Sequence, residues 1–370
     1  MRESSEERRR TFHTLDGLRG IAALAVVGRH LNGELLRLMP SSHLAVDLFF
    51  VLSGFVLSHA YEERLRTSLT FGRFMVMRMV RLWPLYILGT AIGVAVVLRA
   101  AMHGAAFDAP VFVASLLCAS VFLPTFRSIS FNHFHLYPFN FPAWSLLWEL
   151  AVNFLFAAIA RRLHTVLLVS IIALGALLLV YTSWRHEDGL AGGSNFHTWW
   201  VGGGKVVFSF FAGVGVHRLY KRKALVRLRA PAWLASIVLI AVFVARPSTH
   251  AWLYDAAVAL LLFPALVLAA TAEPSERMRP IFARLGVMSY AVYAIHAPFA
   301  QLALPHLHAI ADRGRMQLFV AESAFVCLVA ALALAIDHWF DKPARRRLTE
   351  LATRAFAGRR QSLVRSGETA

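Results

Sequence analysis

An arginine and a histidine share one face of an apolar segment near the start of the chain. Arg19 and His30 are 11 residues apart in the stretch LDGLRGIAALAVVGRHL, residues 15–31. At about 100° per residue they lie within roughly 20° of each other around the helix, and they are separated by roughly 16 Å along its axis. A cation and a proton-transfer group at two depths of one spanning helix predict a site that works through the membrane, because charged groups inside a span are costly and usually functional.

Acidic and imidazole side chains also lie in the predicted outer halves of other apolar segments. Asp47 is in VDLFFVLSGFVLSH, Glu149 is in PAWSLLWELAVNF with Asn153 one turn later, and His296 is in SYAVYAIHAPF. A histidine beside a carboxylate is a ready general base, because its pKa is near neutral and the carboxylate orients the ring. Structural alternatives stay open: His30 as an interfacial histidine, Asp47 as a helix cap and His296 as a hydrogen-bonding partner of a neighbouring helix.

A second group of charges is predicted at the inner face. Arg78 and Arg81 are one turn apart in FMVMRMVRLWPLY, and Asp16 and Arg19 are one turn apart at the start of the first apolar segment. Two arginines on one helical face suit a polyphosphate, because the guanidinium fork matches phosphate oxygens. Coenzyme A is a cytosolic donor that carries such phosphates. The alternative is that these arginines are positive-inside anchors.

The composition predicts the helices that must position these groups. The chain has 370 residues, of which 58% are hydrophobic and 12% aromatic, and its mean hydropathy is +0.57. A soluble domain cannot bury that much apolar surface, so we predict an all-α polytopic membrane protein. The net charge of +17 is typical of basic cytoplasmic loops, and no recognisable nucleic-acid-binding module accompanies it. Cys118 and Cys327 lie in apolar runs, which argues against a disulfide framework or a metal site.

We predict about ten transmembrane helices with both termini in the cytoplasm. One further apolar run, 107–124, either spans or re-enters; counting it as a span would place basic loops outside, against the positive-inside rule. The predicted organisation is a cytoplasmic segment 1–14, a transmembrane domain 15–344 and a basic cytoplasmic tail 345–370. The predicted spans are 15–32, 44–60, 82–99, 143–160, 164–183, 199–217, 231–245, 251–271, 286–304 and 316–338.

The predicted outer segment 125–143, TFRSISFNHFHLYPFNFPA, is rich in aromatic residues, histidine and asparagine. Aromatic belts at the membrane interface explain much of this composition, but sugar-binding sites use the same residue types. We therefore regard Trp144, Asn153 and His296 as candidates for substrate binding. His133 and His135 are too few to argue a metal site, and we predict none.

Six stretches, taken together, resemble the acyltransferase 3 family of integral membrane acyltransferases. They occur in the family's order and run from residue 15 to residue 346, nearly the whole chain. Each is weak alone, but together they are specific. The stretches are LDGLRGIAALAVVGRH (15–30), VDLFFVLSGFVLS (46–58), RMVRLWPLY (78–86), PAWSLLWEL (142–150), LGVMSYAVYAIHAPF (285–299) and DKPARR (341–346).

The resemblance implies transfer of an acyl group, most often acetyl, from cytosolic acyl-CoA to a hydroxyl, typically on a surface polysaccharide. It implies a multi-pass protein of the cell inner membrane. His30 matches the family's proposed catalytic histidine. Arg19 matches the arginine of the same motif, Arg78 and Arg81 match the Arg-x-x-Arg pair, and Glu149 matches the glutamate of the WSL..E motif. The late motif has Asp341 where the family often has glutamate.

These observations lead to one mechanistic hypothesis. Acyl-CoA binds with its phosphates near the three arginines, and His30, aided by Glu149 or Asp47, acts as a general base or as a transient acyl carrier. The acceptor is a cell-surface or periplasmic carbohydrate, or alternatively a small-molecule sugar or antibiotic. Expected partners are the acceptor and membrane lipid, with a second copy or a partner transferase as further options, since the chain carries no extracytoplasmic hydrolase-like domain. A transporter or flippase of a lipid-linked sugar is the alternative of another class.

Overall fold

The computed structural model describes residues 11–126, 130, 134–223 and 229–367. Within these ranges the chain is almost entirely helical, and the only strand-like pairing is an isolated bridge between His135 and Asn195. His133 and most of the predicted N-terminal segment lie outside the described residues.

Eight helices of the described residues are long and apolar enough to cross a membrane. This confirms the predicted all-α polytopic membrane fold. The elements are α1 (His13–Arg29), α2 (Glu34–Leu38), α3 (Ala45–Thr67), α4 (Phe71–Met102), α5 (Ala109–Ser120), α6 (Trp144–Ile159), α7 (Thr165–Arg185), α8 (Trp199–Lys221), α9 (Ala232–Val244), α10 (Ala251–Ala257), which continues through a π-helical segment (Val258–Leu262) into α11 (Phe263–Ala269), α12 (Arg279–Ala311), α13 (Arg315–Ile336), a second π-helical segment (Asp337–Asp341) and α14 (Lys342–Gly367).

The remaining apolar helices are shorter than these eight spans, of which the one that contains α6 begins at Phe141 and has 19 residues. Helices α1 and α9 coincide with predicted spans and have 17 and 13 residues, so the count of ten stays a prediction. Helix α5, in the ambiguous run 107–124, has only 12 residues. At 1.5 Å per residue it is about 18 Å long, against about 30 Å for a bilayer core, which favours the re-entrant interpretation.

Two helices extend beyond the apolar runs that predicted them. Helix α4 begins at Phe71 and not near residue 82, and α12 begins at Arg279 and not at 286. Hydropathy marks only the part of a helix that lies in lipid, whereas the backbone hydrogen bonds continue into polar sequence. As a result, Arg78 and Arg81 lie within one rigid helix.

Segments predicted to share a side of the membrane lie at the same end of the bundle. At the N-terminal end of α1, the Thr14 hydroxyl donates a hydrogen bond to the carbonyl of Ala272 (2.6 Å). At the other end, the Ser41 hydroxyl donates to the carbonyl of Ala245 (2.7 Å). Both contacts agree with the predicted sides of these four segments, and the full topology stays a prediction.

Close packing of α1 on α12 fixes the depth and rotation of α1. A methyl group at Gly20 would lie only 2.6 Å from the backbone oxygen of Leu285, and one at Gly286 would meet the Cβ of Asp16 at 2.5 Å. Small residues allow transmembrane helices to approach closely. The glycines around Arg19 therefore set how the polar side chains of α1 face those of α12.

Candidate functional site

Three arginines from two helices face one internal cavity. This arginine cavity has a volume of about 190 Å³. It is lined by the predicted phosphate-binding residues Arg19, Arg78 and Arg81, together with Glu149, so the structure brings these four side chains together. Helix α4 presents two of the arginines one turn apart, after an N-terminal cap in which the Thr70 hydroxyl accepts a hydrogen bond from the backbone N–H of Arg73 (3.4 Å).

Glu149 belongs to the arginine cavity and does not contact His30. Its Oε1 accepts a hydrogen bond from the Arg78 guanidinium at 2.6 Å and lies 3.3 Å from the Ser53 hydroxyl. The expectation that Glu149 would orient His30 at the outer level is therefore corrected. Sequence could not give the depth of α6 relative to α1, because that depth depends on contacts between residues far apart in the chain.

The other two arginines are held by different partners. Arg19 pairs with Asp16 one turn earlier on α1. The Arg81 guanidinium lies 3.6 Å from Asp341 and 5.1 Å from the centre of the Tyr290 ring. The two partners of Arg81 lie in motifs identified from the sequence: Asp341 in the late DKPARR stretch and Tyr290 in SYAVYAIHAPF.

The arginine cavity adjoins a larger vestibule near the start of α4. This arginine vestibule has a volume of about 570 Å³ and shares Arg78 and Arg81 with the cavity. It is additionally lined by Arg64, Arg73 and Arg345, and no acidic side chain of the described residues lines it. Arg78, Arg81 and Arg345 have carboxylate partners behind the lining, whereas no ion pair is found for Arg64 and Arg73 within the described residues. Five arginines on one wall attract polyanions.

His30 faces a second, smaller cavity at the other end of α1. This histidine cavity has a volume of about 80 Å³ and is also lined by Arg29, His43, Lys205 and Trp144. Among the described residues that line it, none is acidic. A developing negative charge in this cavity would therefore meet cationic groups and no carboxylate.

The two cavities are neighbours in the bundle. Val46 of α3 and Tyr293 of α12 line both of them. The Tyr293 hydroxyl is itself held at 2.5 Å from the Ser145 hydroxyl and 3.1 Å from the carbonyl of Pro142. Arg19 and His30, predicted on one face of one helix, thus face two adjoining cavities.

The ring of His30 contacts another histidine and also hydrogen-bonds the backbone of Val26, one turn earlier on α1. Nδ1 of His30 lies 2.9 Å from Nε2 of His296, and the two rings stack with their centres 5.0 Å apart. Phe141 packs against His30 edge-to-face at 4.9 Å. His30 is the residue at which α1 ends, directly after Arg29.

Asp47 is paired with a lysine and not with His30. Its carboxylate lies 3.2 Å from Nζ of Lys205, and both side chains are fully buried. The ammonium also donates a hydrogen bond to the carbonyl of Leu190 (2.8 Å) and lies 5.6 Å from the centre of the Trp144 ring. Asp47 was predicted to assist His30. In the described structure its carboxylate contacts Lys205 of α8, and no direct contact with His30 is found.

The three substrate-binding candidates have different surroundings. Trp144 lines the histidine cavity. His296 is fully buried and contacts His30. Asn153 is fully buried, and its amide makes no hydrogen bond within the described part of the chain.

Sequence reasoning missed a polar cluster that supports the histidine cavity. Nε2 of His43 lies 2.9 Å from Asp255, whose carboxylate also accepts a hydrogen bond from the backbone N–H of Leu190 (2.9 Å) and lies 3.3 Å from Arg246. The only sequence signals were isolated charges at the ends of apolar runs. Their long separation along the chain hid the cluster.

A half-buried histidine, His135, packs behind Phe141, which lines the histidine cavity. The His135 ring stacks on Phe141 with centres 5.0 Å apart. Burial lowers the pKa of His135 below its ordinary value of 6.5, although a hydrogen bond with the backbone of Ser194 opposes this shift.

Within the described residues, no group of three or more His, Cys, Asp or Glu side chains could hold a metal ion.

The fold and these cavities define a multi-pass helical membrane protein with a half-buried histidine facing one chamber and arginines facing the next. The family model described as "Acyltransferase domain" matches residues 12–338. The chain therefore belongs to the acyltransferase 3 family, as the six sequence stretches had indicated, and it is a membrane acyltransferase.

Two relatives illustrate the similarity. The chain is 37% identical to "Protein 2 in picA locus" of Rhizobium radiobacter over 190 residues, which are 49% of this chain and 97% of that protein. It is 22% identical to "O-acetyltransferase OatA" of Staphylococcus aureus (strain NCTC 8325 / PS 47) over 356 residues, which are 90% of this chain. The match covers 57% of the S. aureus protein. No solved structure matches the chain significantly.

Proposed function

We propose that this protein is an O-acyltransferase that moves an acyl group, acetyl first of all, from cytosolic acyl-CoA to a carbohydrate hydroxyl. One observation carries the proposal: a cavity lined by three arginines adjoins a cavity lined by His30, with Val46 and Tyr293 between them. The names of relatives such as "O-acetyltransferase OatA" support acetyl as the group and oxygen as the acceptor atom.

The arginines suit the phosphates of the donor. Arg78 and Arg81 stand where the vestibule meets the arginine cavity, so a nucleotide in the vestibule would leave its flexible arm pointing inwards. Along α1, Arg19 and His30 are separated by roughly 16 Å, comparable with the reach of a pantetheine arm. By the positive-inside rule, the vestibule faces the cytoplasm and the protein lies in the inner membrane.

His30 is the group that would move the proton. It takes the proton from the acceptor hydroxyl as the oxygen attacks the thioester carbonyl. The carbon–sulfur bond then breaks, and the thiolate leaves as the free thiol after taking that proton back from His30. In the two-step alternative, His30 itself receives the acyl group and passes it to the hydroxyl.

The remaining lining of the histidine cavity fits this chemistry. Arg29 and Lys205 supply positive charge where the carbonyl oxygen becomes negative, and such preorganised charges are often the largest catalytic contribution. The Trp144 ring offers an apolar face of the kind that sugar rings pack against. A carbohydrate acceptor reaching this cavity from the outer side would place a hydroxyl beside His30.

The test compares cell-surface glycans of a gene-deletion strain carrying wild-type protein, His30→Ala or His103→Ala. His103 is an exposed histidine that lines neither cavity, so its variant is the matched control. We expect mass spectrometry to show one acyl group lost in the deletion strain and with His30→Ala, and restored with His103→Ala. Wild-type acylation by His30→Ala at normal abundance would contradict the mechanism. An unchanged glycan mass in the deletion strain would point to a small-molecule acceptor.

A further inference from the structure

The hydrogen-bond partners of His296 determine which of its nitrogens carries a proton. Its Nδ1 lies 2.9 Å from the carbonyl oxygen of Tyr293 and 3.1 Å from that of Val292. A carbonyl oxygen can only accept a hydrogen bond. Nδ1 of His296 must therefore be the protonated nitrogen, fixed by the backbone of its own helix.

That assignment extends to His30. A neutral imidazole with a proton on Nδ1 has a lone pair on Nε2, so this nitrogen of His296 accepts a hydrogen bond. Its partner at 2.9 Å is Nδ1 of His30, which must donate. A neutral His30 then keeps its basic lone pair on Nε2.

We infer that His296 is a positioning residue that fixes the tautomer of His30, so that Nε2 of His30 is the nitrogen that exchanges the proton with the acceptor. The inference rests on the proposed role of His30 in acyl transfer. A neutral histidine here does the orienting that a carboxylate does in a serine-protease triad. The two carboxylates expected to assist His30 are held elsewhere, Asp47 by Lys205 and Glu149 by Arg78.

Nδ1 of His30 and Nε2 of His296 face each other. The surroundings of the pair favour a state in which these two nitrogens share one proton over a state in which each carries its own. Arg29 at the end of α1, His43 before α3 and Lys205 on α8 line the cavity beside His30, and His135 lies behind Phe141. The phenol of Tyr293 is the remaining titratable group among the described residues that line this cavity. Lys205 is paired with Asp47, and His43 contacts Asp255, so these two carboxylates already have partners. A second cation in the pair would therefore face Arg29 with no acidic side chain in the lining of the cavity.

The test uses variants of His296 that keep either the hydrogen bond with His30 or the hydrogen bonds with the backbone carbonyls, or neither. In His296→Gln, the side-chain carbonyl can reach the position of Nε2 and accept from His30. In His296→Asn, the shorter amide can reach only the position of Nδ1 and the backbone carbonyls. His296→Phe keeps the ring volume without either hydrogen bond.

We expect His296→Asn and His296→Phe to lower the turnover number of purified protein with acetyl-CoA roughly 100-fold, as for loss of a positioned acid–base group. We expect His296→Gln to stay within about 10-fold of wild type, with the KM for acetyl-CoA unchanged in all three variants. The acidic limb of the pH–rate profile should move to lower pH in His296→Phe, because His30 loses the acceptor that favours its protonated form.

The outcomes separate this inference from the proposed function. If His30→Ala is inactive while Asn, Gln and Phe at position 296 keep the wild-type rate and pH profile, the tautomer role is wrong and the role of His30 stands. If His30→Ala is active, the proposed function itself fails. Equal losses in the Gln and Asn variants would also overturn the inference, since a purely structural role does not distinguish the two amides.

A measurement on the unmodified protein needs no variant to fold. In protein labelled with nitrogen-15 on histidine, we expect the His30 signals to show a protonated Nδ1 and an unprotonated Nε2 at neutral pH, with assignment from the spectrum of His30→Gln. The opposite pattern would overturn the inference.

Discussion

At the scale of single residues, the pairing of Arg78 with Glu149 gives a specific expectation for donor binding. The guanidinium is held at 2.6 Å from the carboxylate while it lines both the arginine cavity and the vestibule. A phosphate arriving from the vestibule would therefore meet an arginine that is already oriented. Pre-orientation lowers the conformational entropy lost on binding.

We expect Arg78→Ala to raise the KM for acetyl-CoA by roughly 10-fold to 100-fold, since hydrogen bonds to charged groups contribute about 1.5–3 kcal/mol. Arg78→Lys keeps the charge without the fork, so its effect should be intermediate. Arg66→Ala is the matched control, because Arg66 is exposed and lines none of the three cavities. Steady-state kinetics on purified protein provide the measurement. An unchanged KM for Arg78→Ala, with altered abundance only, would favour the membrane-anchor interpretation.

The half-buried ring of His135 predicts a dependence of stability on pH. Because burial lowers its pKa below 6.5, the folded state resists a proton that the unfolded chain accepts. Stability is therefore full above about pH 6.5 and falls as the pH drops below that value towards the pKa of the folded state. We expect the melting temperature in detergent to fall between about pH 7.5 and about pH 5.5, and to fall less in His135→Phe, which keeps the aromatic stack. Identical pH dependence in the two proteins would contradict this role.

At the scale of helices, the Asp47–Lys205 pair joins α3 to α8 deep in the bundle. Breaking a buried ion pair by removing one partner costs about 3–5 kcal/mol, whereas replacing both partners with apolar residues is often neutral. We expect Asp47→Leu and Lys205→Met each to lower the melting temperature strongly, and the double variant to recover most of the loss. Additive losses in the double variant would show that the two side chains are not energetically coupled.

The contact of α1 with α12 is the helix pairing that carries His30 to His296. A methyl group at Gly20 would press on the backbone of Leu285, so we expect Gly20→Ala to destabilise the protein by about 1–3 kcal/mol and to lower the rate of acyl transfer by moving His30. Gly72→Ala is the control, because no atom lies within 4 Å of the added methyl group. Thermal unfolding and transfer assays provide the measurements. A fully stable and active Gly20→Ala protein would mean that α1 can shift without consequence.

The helices themselves were largely predictable, and their partners were not. Apolar runs located the long apolar helices but not α14, which lies in the basic tail. The 12-residue length of α5 agrees with the charge argument against a full span at 107–124. The spacing of Arg78 and Arg81 predicted that both lie on one face of a helix. In the structure both line the same cavity. Hydropathy failed where α4 and α12 continue into polar sequence, because a helix does not end where the lipid does.

At the scale of the whole molecule, polar side chains divide into three layers along the bundle. The vestibule holds arginines that face no acidic lining residue in the described structure, the next cavity holds three arginines with Glu149, and the last holds His30 with cationic neighbours. A donor carrying several negative charges and a neutral thioester end matches this order. The molecule thus presents a group of arginines at one end and the His30–His296 pair towards the other.

The sequence by itself determined the membrane class, the helical elements, the family and the separation of Arg19 from His30 on one helix face, because these follow from composition and from the period of a single helix. Only the tertiary structure decided that His30 contacts His296, that Glu149 contacts Arg78 and that Asp47 contacts Lys205. Such pairings depend on the depth and rotation of one helix against another. Those are set by contacts between residues far apart in the chain, such as Gly20 with Leu285, and helical spacing contains no information about them.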